Sequence, residues 1–193
     1  YGPANYADIG QAEMLSLMAG GKLAQVTMVG AAAPNFDDPQ KSVVVGKVGA
    51  TVVPGPTPDQ RATMSGIWVM GIPHNLPAER KQAALTFLKW ALTKDAQLAY
   101  AKAGAIPVRQ DVYDELSDDP KLGWWMRAMG ESTPYIRAQP RLPETPQIVE
   151  VIDRRAGQAV IDELSPEDAL WEAAQEIYQI LVNGGYKVKP LSR

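Results

Sequence analysis

The chain has 193 residues, a formal net charge of −3, 46% apolar side chains, no cysteine and a single histidine. This composition supports a buried core and excludes a disordered chain, a disulfide framework, a thiolate metal site and a His-rich metal site. There is no basic stripe to meet nucleic acid, and every apolar run is cut by Gly, Pro or charge well before bilayer-spanning length.

The chain opens at Tyr1 with no signal peptide, so it reads as a fragment or processed product. Gln11 to Met18 predicts a short helix that stops at Ala19-Gly20-Gly21, since glycine suits the left-handed turn after a helix. Lys22 to Val29 alternates roughly with period two and predicts a strand. Ala33 to Ser42 reads as a loop, Val43 to Val53 as strand, and Pro54 to Pro58 as a surface turn. Met64 to Ile72 predicts another strand, with Trp68, Met70 and Ile72 on one side and Ile67, Val69 and Gly71 on the other. From Ala78 an amphipathic helix follows, its face set by Ala84, Phe87, Leu88 and Ala91.

Thr93 predicts the cap of a helix running to Lys102, with Gly104 past its end. Short helices are expected over Val112–Leu116 and Leu122–Met129, then a Pro-rich extended stretch from Thr133 to Pro146. A helix is expected from about Gln147 to Glu163. Ser165-Pro166-Glu167-Asp168 is a helix start, with the Ser as cap and the acids at the positive end of the dipole. Leu170, Ala174, Ile177 and Leu181 form the expected buried stripe of that last helix, and Gly184 ends it. The sum is a helix-dominated α/β chain.

Catalytic signatures are missing. No Gly-x-Gly-x-x-Gly, P-loop or Gly-x-Ser-x-Gly elbow occurs. His74 lies in a Pro/Asn turn and reads as a surface residue. Asp37-Asp38 and Asp118-Asp119 are neighbours in polar loops, which suits turns and caps, whereas acid–base work needs carboxylates facing one substrate from opposite sides. No catalytic residue, metal site or cofactor is expected.

Five segments carry a resemblance: GGKLAQVTMVG (20–30), DDPQKSVVVGKVGATVVPG (37–55), GIWVMGIP (66–73), AALTFLKWALTKDAQLAYAKAGAIPVR (83–109) and SPEDALWEAAQEIYQIL (165–181). In this order they resemble the family 1 extracellular solute-binding proteins of ABC transporters, the sugar-binding family. The resemblance implies the C-terminal portion of a two-lobe periplasmic-binding-protein fold of class II, α/β and helix-rich, with sugar held between the lobes. It implies that residues about 1–60 and 131–193 belong to one lobe. The helices of about 66–125 would belong to or pack on the other.

The implied function is to bind a sugar or polyol and deliver it to the membrane permease subunits of an ABC importer, in the periplasm or at the cell surface of a bacterium. Sugars present C–H faces ringed by hydroxyls, which an aromatic ring and planar polar side chains can match. Trp68 falls on the family's Trp and is the expected stacking platform, or else a core residue on a buried strand. Gly66 matches a glycine that lets the backbone approach ligand, while the family's second glycine is Ile67 here. The Trp that follows the Gly-Lys strand in the family is replaced near Val29 and Gly30, which argues against long oligosaccharides.

Arg109 matches the Arg of the Pro-x-Arg turn, with a structural salt bridge as the competing reading. Gln139 and Arg141 match the segment that places polar side chains in the cleft. A forked guanidinium suits two hydroxyls or a phosphate, so neutral sugar, polyol and sugar phosphate all stand as ligands. Trp90 and Trp171 read as packing residues. Of Trp124-Trp125, one is expected in the core, and an exposed partner would mark an interface. Two readings from other classes compete: a carbohydrate-active hydrolase using Glu144 or Glu150, and a protein-interaction domain built on Trp124-Trp125 and the Pro-rich loop.

Overall fold

The computed structural model describes residues 9–64, 66 and 68–192. Helix α1 spans Gln11–Ala19, and the chain leaves it through Gly20 and Gly21. Gly21 has φ +68°, a conformation that costs a side-chain-bearing residue strain. The expected strands at 22–29 and 43–53 do not form among the described residues. A strand is completed by a neighbour's amides and carbonyls, and the only ladder described is a two-residue one. That pair is parallel, β1 (Thr63–Met64) against β2 (Ile136–Arg137). The 64–72 strand is therefore reduced to its first residue, and Gly66 and Trp68–Ile72 run on without a ladder. The expected loop at 33–42 is partly helical instead: a tight turn at Gly30–Ala32 leads into the one-turn helix α2 (Ala33–Phe36). Apolar Ala32, Ala33 and Phe36 are buried there, which favours the compact turn.

The remaining helices appear where the pattern places them: α3 (Ala78–Ala91), α4 (Lys94–Lys102), α5 (Gln110–Leu116), α6 (Gly123–Ser132), α7 (Thr145–Val160) and α8 (Pro166–Asn183). Their signals are physical. Thr93 Oγ1 accepts from the Ala96 amide at 3.3 Å, and Ser165 Oγ from the Asp168 amide at 3.1 Å, each capping orphan donors of a first turn. Asp119 Oδ1 accepts from the amides of Lys121 and Leu122, both at 2.9 Å, and so shapes the entry to α6. Those two bonds hold the Asp119 carboxyl below its usual range.

The chain divides into two compact units, 1–137 and 138–193. The core of the first is the α4–α5–α6 cluster of Ala101, Val112, Tyr113, Leu116, Trp125 and Met126, with Ala33 against it. A smaller cluster of Ala19, Ala32 and Phe36 joins α1 to α2. Trp125 is in the core, as one of the pair was expected to be. Trp124 is half-buried, touches both clusters and donates from Nε1 to Asp37 at 2.8 Å, so it is a packing residue and not an exposed interface marker.

Helix α3 departs from expectation. It buries no residue, and Phe87 and Trp90 on it are 53% and 59% exposed, their rings tilted against each other with centroids 5.7 Å apart. Trp90 is thus not a packing residue within this unit.

In the second unit, α7 and α8 pack on one another through Ile148 and Val151 on α7 and Ala169 and Ala173 on α8. The buried side of α8 is one residue away from the expected stripe. Leu170 is 73% exposed, because the small Ala169 and Ala173 let the helices approach while Leu170 points away. The pair is laced by Arg155, which donates from Nε to Glu176 at 2.8 Å and also pairs with Glu172.

Candidate ligand-binding site

The segment after β1 carries the first two candidate residues. Gly66 has open space where a Cβ would stand. Two residues on, the Trp68 indole is fully exposed, followed by Val69 at 86% and Met70 at 65%. A core role for Trp68 within this unit is ruled out by that exposure. An indole held in water is unfavourable unless a partner covers it. Ile67 lies outside the described residues.

Arg109 is on a different element, at the N-cap of α5. Its three guanidinium nitrogens all donate within the chain: Nε and Nη2 to the two oxygens of Asp111 at 2.9 and 2.7 Å, and Nη1 to the Leu92 carbonyl at 3.2 Å. The Arg109 fork holds the Asp111 carboxyl below its ordinary value. The salt-bridge alternative weighed for Arg109 is thus present in its geometry. Gln139 and Arg141 belong to the second unit and are exposed on the segment leading into α7. That segment is pinned at its end. Thr145 Oγ1 donates to the Pro140 carbonyl at 2.6 Å and accepts from the Leu142 amide at 3.3 Å. Gly66 and Trp68 therefore share one exposed stretch, Gln139 and Arg141 another, and Arg109 stands apart on α5.

The carboxylates of the hydrolase reading are placed otherwise. Glu144 accepts from the Tyr186 hydroxyl at 3.0 Å, a bond that raises the Tyr186 pKa, and Glu150 is an exposed residue of α7. Among the described residues, no group of three or more His, Asp or Glu is arranged to hold a metal ion.

Two features escaped sequence reasoning. The first is an open, mainly apolar hollow of about 400 Å³ between α1 and the 28–35 turn, bordered by Gln11, Leu15, Met28, Val29, Ala32 and Asn35. The second is Gln97, 8% exposed on α4 with both ends of its amide engaged. Its register is legible, since it lies one turn before the buried Ala101 on the same face.

Each unit thus presents polar or aromatic side chains at its own surface, Trp68 on the first and Gln139 and Arg141 on the second. The chain matches the family described as bacterial extracellular solute-binding protein over residues 5–123, more than half its length, and belongs to that family. Its structure resembles maltose-bound T. maritima MalE3, at TM-score 0.74 and 25% identity over 93% of this chain and 46% of that one. It also resembles an ABC transporter solute-binding protein from Agrobacterium radiobacter K84 in complex with ribitol, at TM-score 0.65 and 25% identity over 90% of this chain and 44% of the other. The chain thus spans less than half the length of either solved protein, and its helix-rich α/β architecture is part of their larger fold.

Proposed function

We propose that the protein containing this chain binds a sugar or polyol in a cleft between two lobes and presents it to the permease of an ABC importer, without catalysis. The proposal rests above all on Trp68: an indole with no cover in a solute-binding family is suited to lie against the C–H face of a sugar ring. Gly66 gives the ligand close access to backbone. Gln139 and Arg141 supply planar donors for hydroxyls, or for a phosphate if the ligand carries one. Arg109, already bonded through all its nitrogens, acts on the site through the turn it holds. Work is done by closure of the lobes around the ligand, a hinge motion that needs no bond made or broken.

The lobe assignment belongs to the same proposal. Residues about 1–60 and 131–193 form one lobe, and the helices of about 66–125 belong to or pack on the other. The apolar side chains that α3 leaves exposed support this. The place of action is the periplasm or the outer cell surface.

Calorimetry of the complete protein against sugars, polyols and sugar phosphates tests the reading. We expect saturable binding of at least one, and a loss of about 30-fold or more in affinity on Trp68→Ala, the size of a central aromatic anchor. The fold should persist, because a fully exposed side chain leaves no cavity. Unchanged affinity would remove Trp68 from the site, and no binding by any member of the panel would remove the sugar reading.

A further inference from the structure

Helix α3 buries none of its residues, yet its C-terminal end is fastened by side chains from outside it. The last carbonyls of a helix lack partners inside it and carry the negative end of its dipole, so amide and guanidinium donors suit them. Both are present. Gln97 on α4 donates from Nε2 to the Ala91 carbonyl at 2.7 Å, while its Oε1 accepts from the Val108 amide at 2.8 Å. Arg109 donates to the Leu92 carbonyl at 3.2 Å and is itself locked by the fork to Asp111. On the same helices Lys94 pairs with Glu115 at 2.7 Å, tying the start of α4 to α5. The Tyr113 hydroxyl donates to the Pro107 carbonyl at 2.6 Å and anchors the 105–109 turn to the core.

We propose that Gln97 and Arg109 form a positioning clamp that fixes the angle at which α3 leaves the α4–α6 core. Gln97 spans the end of α3 and the 105–109 turn, and Arg109 spans the α3–α4 turn and the start of α5. With so little burial along α3, these polar ties replace packing as what orients it. The inference deepens the reading that α3 serves the other lobe: α3 and the 105–109 turn then move as one body when the lobes close. The clamp needs no ligand, so its test and the sugar test fail separately.

Amide hydrogen exchange on this chain reads the clamp directly. Gln97→Met keeps the bulk and removes both bonds. It should speed exchange at the Val108, Leu92 and Thr93 amides by about tenfold or more while α7 and α8 keep native rates. Arg109→Lys, at a half-exposed position the core does not need, should speed Leu92 and Thr93 by a smaller factor. Gln97→Glu is the rescue. At about pH 4 a protonated carboxyl again offers one donor and one acceptor, so exchange should approach that of the unmodified chain at the same pH, and it should depart from it at pH 7. Comparison with Gln97→Met at each pH removes the pH dependence that the two position-97 variants share. Native rates at Val108, Leu92 and Thr93 in Gln97→Met would overturn the clamp. If that variant loosens the whole core, absence of acid rescue in Gln97→Glu, or native rates in Arg109→Lys, would overturn it equally.

Discussion

Replacing Tyr113 with Phe separates a hydrogen bond from a buried ionisable group. Tyr113 is 6% exposed in the α4–α6 core, and its hydroxyl donates to the Pro107 carbonyl at 2.6 Å. Tyr113→Phe fills the same space but leaves that carbonyl without its donor, at a cost of about 1–2 kcal/mol at neutral pH. Burial also pushes the phenol up from 10.0 to about 12. The sign follows from linkage. Below pH 10 both folded and unfolded chains keep the proton, and the full bond strength is present. Between pH 10 and 12 only the unfolded chain loses it, so the native protein is destabilised as pH rises. At pH 11 the difference is about 1.4 kcal/mol, similar to the hydrogen bond itself. Urea melts of the native chain and Tyr113→Phe at pH 7, 9, 10 and 11 should therefore show the variant less stable at neutral pH, with the gap narrowing and nearly closing by pH 11. Other tyrosines and lysines titrate in both proteins and cancel in the difference. A gap of constant size from pH 7 to 11 would refute the reasoning.

Met126 is fully buried among Val112, Tyr113, Leu116 and Trp125, so Met126→Ala should cost about 2–5 kcal/mol through lost transfer energy and a residual cavity, read as a lower denaturation midpoint with an unchanged slope. In the second unit, Arg155 is 19% exposed and serves both Glu172 and Glu176, and Arg155→Met should cost about 1–3 kcal/mol in a urea melt followed by helix circular dichroism. Hydrogen bonds from Arg155 and then Arg154 lower the Glu176 pKa. The stability they confer is therefore present above the ordinary carboxylate range and lost as pH falls through the lowered value, and Glu176→Gln should flatten that acid limb.

The helices were legible because their signals are local. Thr93 and Ser165 accept the capping bonds their sequence positions promise, and Gly20-Gly21 and Gly104 close helices where a left-handed or open turn is needed. The strands were not, because a period-two pattern specifies a face and leaves the partner unnamed. Val43 to Val53 has strand composition, yet Val43 donates to the Ala19 carbonyl at 2.9 Å and Gly46 turns the chain at φ +69°. At 33–36 turn chemistry from Pro34 and Asn35 suggested loop, while burial of Ala33 and Phe36 favoured a helical turn. On α8 the expected stripe took the large Leu170 as the inward residue, but the helices meet through alanines, and size alone does not say which side faces a neighbour. Of the candidate site, the sequence left Trp68 open between stacking and core, and in this unit its indole is exposed. The Arg109 fork to Asp111 is local, two residues on, but its bond to the Leu92 carbonyl, seventeen residues earlier, is reported by no local pattern.

The exposed apolar side chains extend the same logic. Trp68, Val69, Met70, Leu85, Phe87, Trp90 and Leu92 are all exposed, whereas Val112, Tyr113, Leu116, Trp125 and Met126 on the next helices are sealed. On α3, Ala84, Phe87, Leu88 and Ala91 stand at helical spacing, yet Phe87 is exposed and the other three are only half-buried. The difference is whether the chain supplies something to cover the face. Within unit 1 the α4–α6 helices cover one another, while among the described residues α3 and the 68–72 segment are nowhere more than half-buried. The proposed two-lobe protein would supply both kinds of cover, protein for the α3 face and ligand for the indole. On that proposal the Gln97–Arg109 clamp acts where packing along α3 is thin.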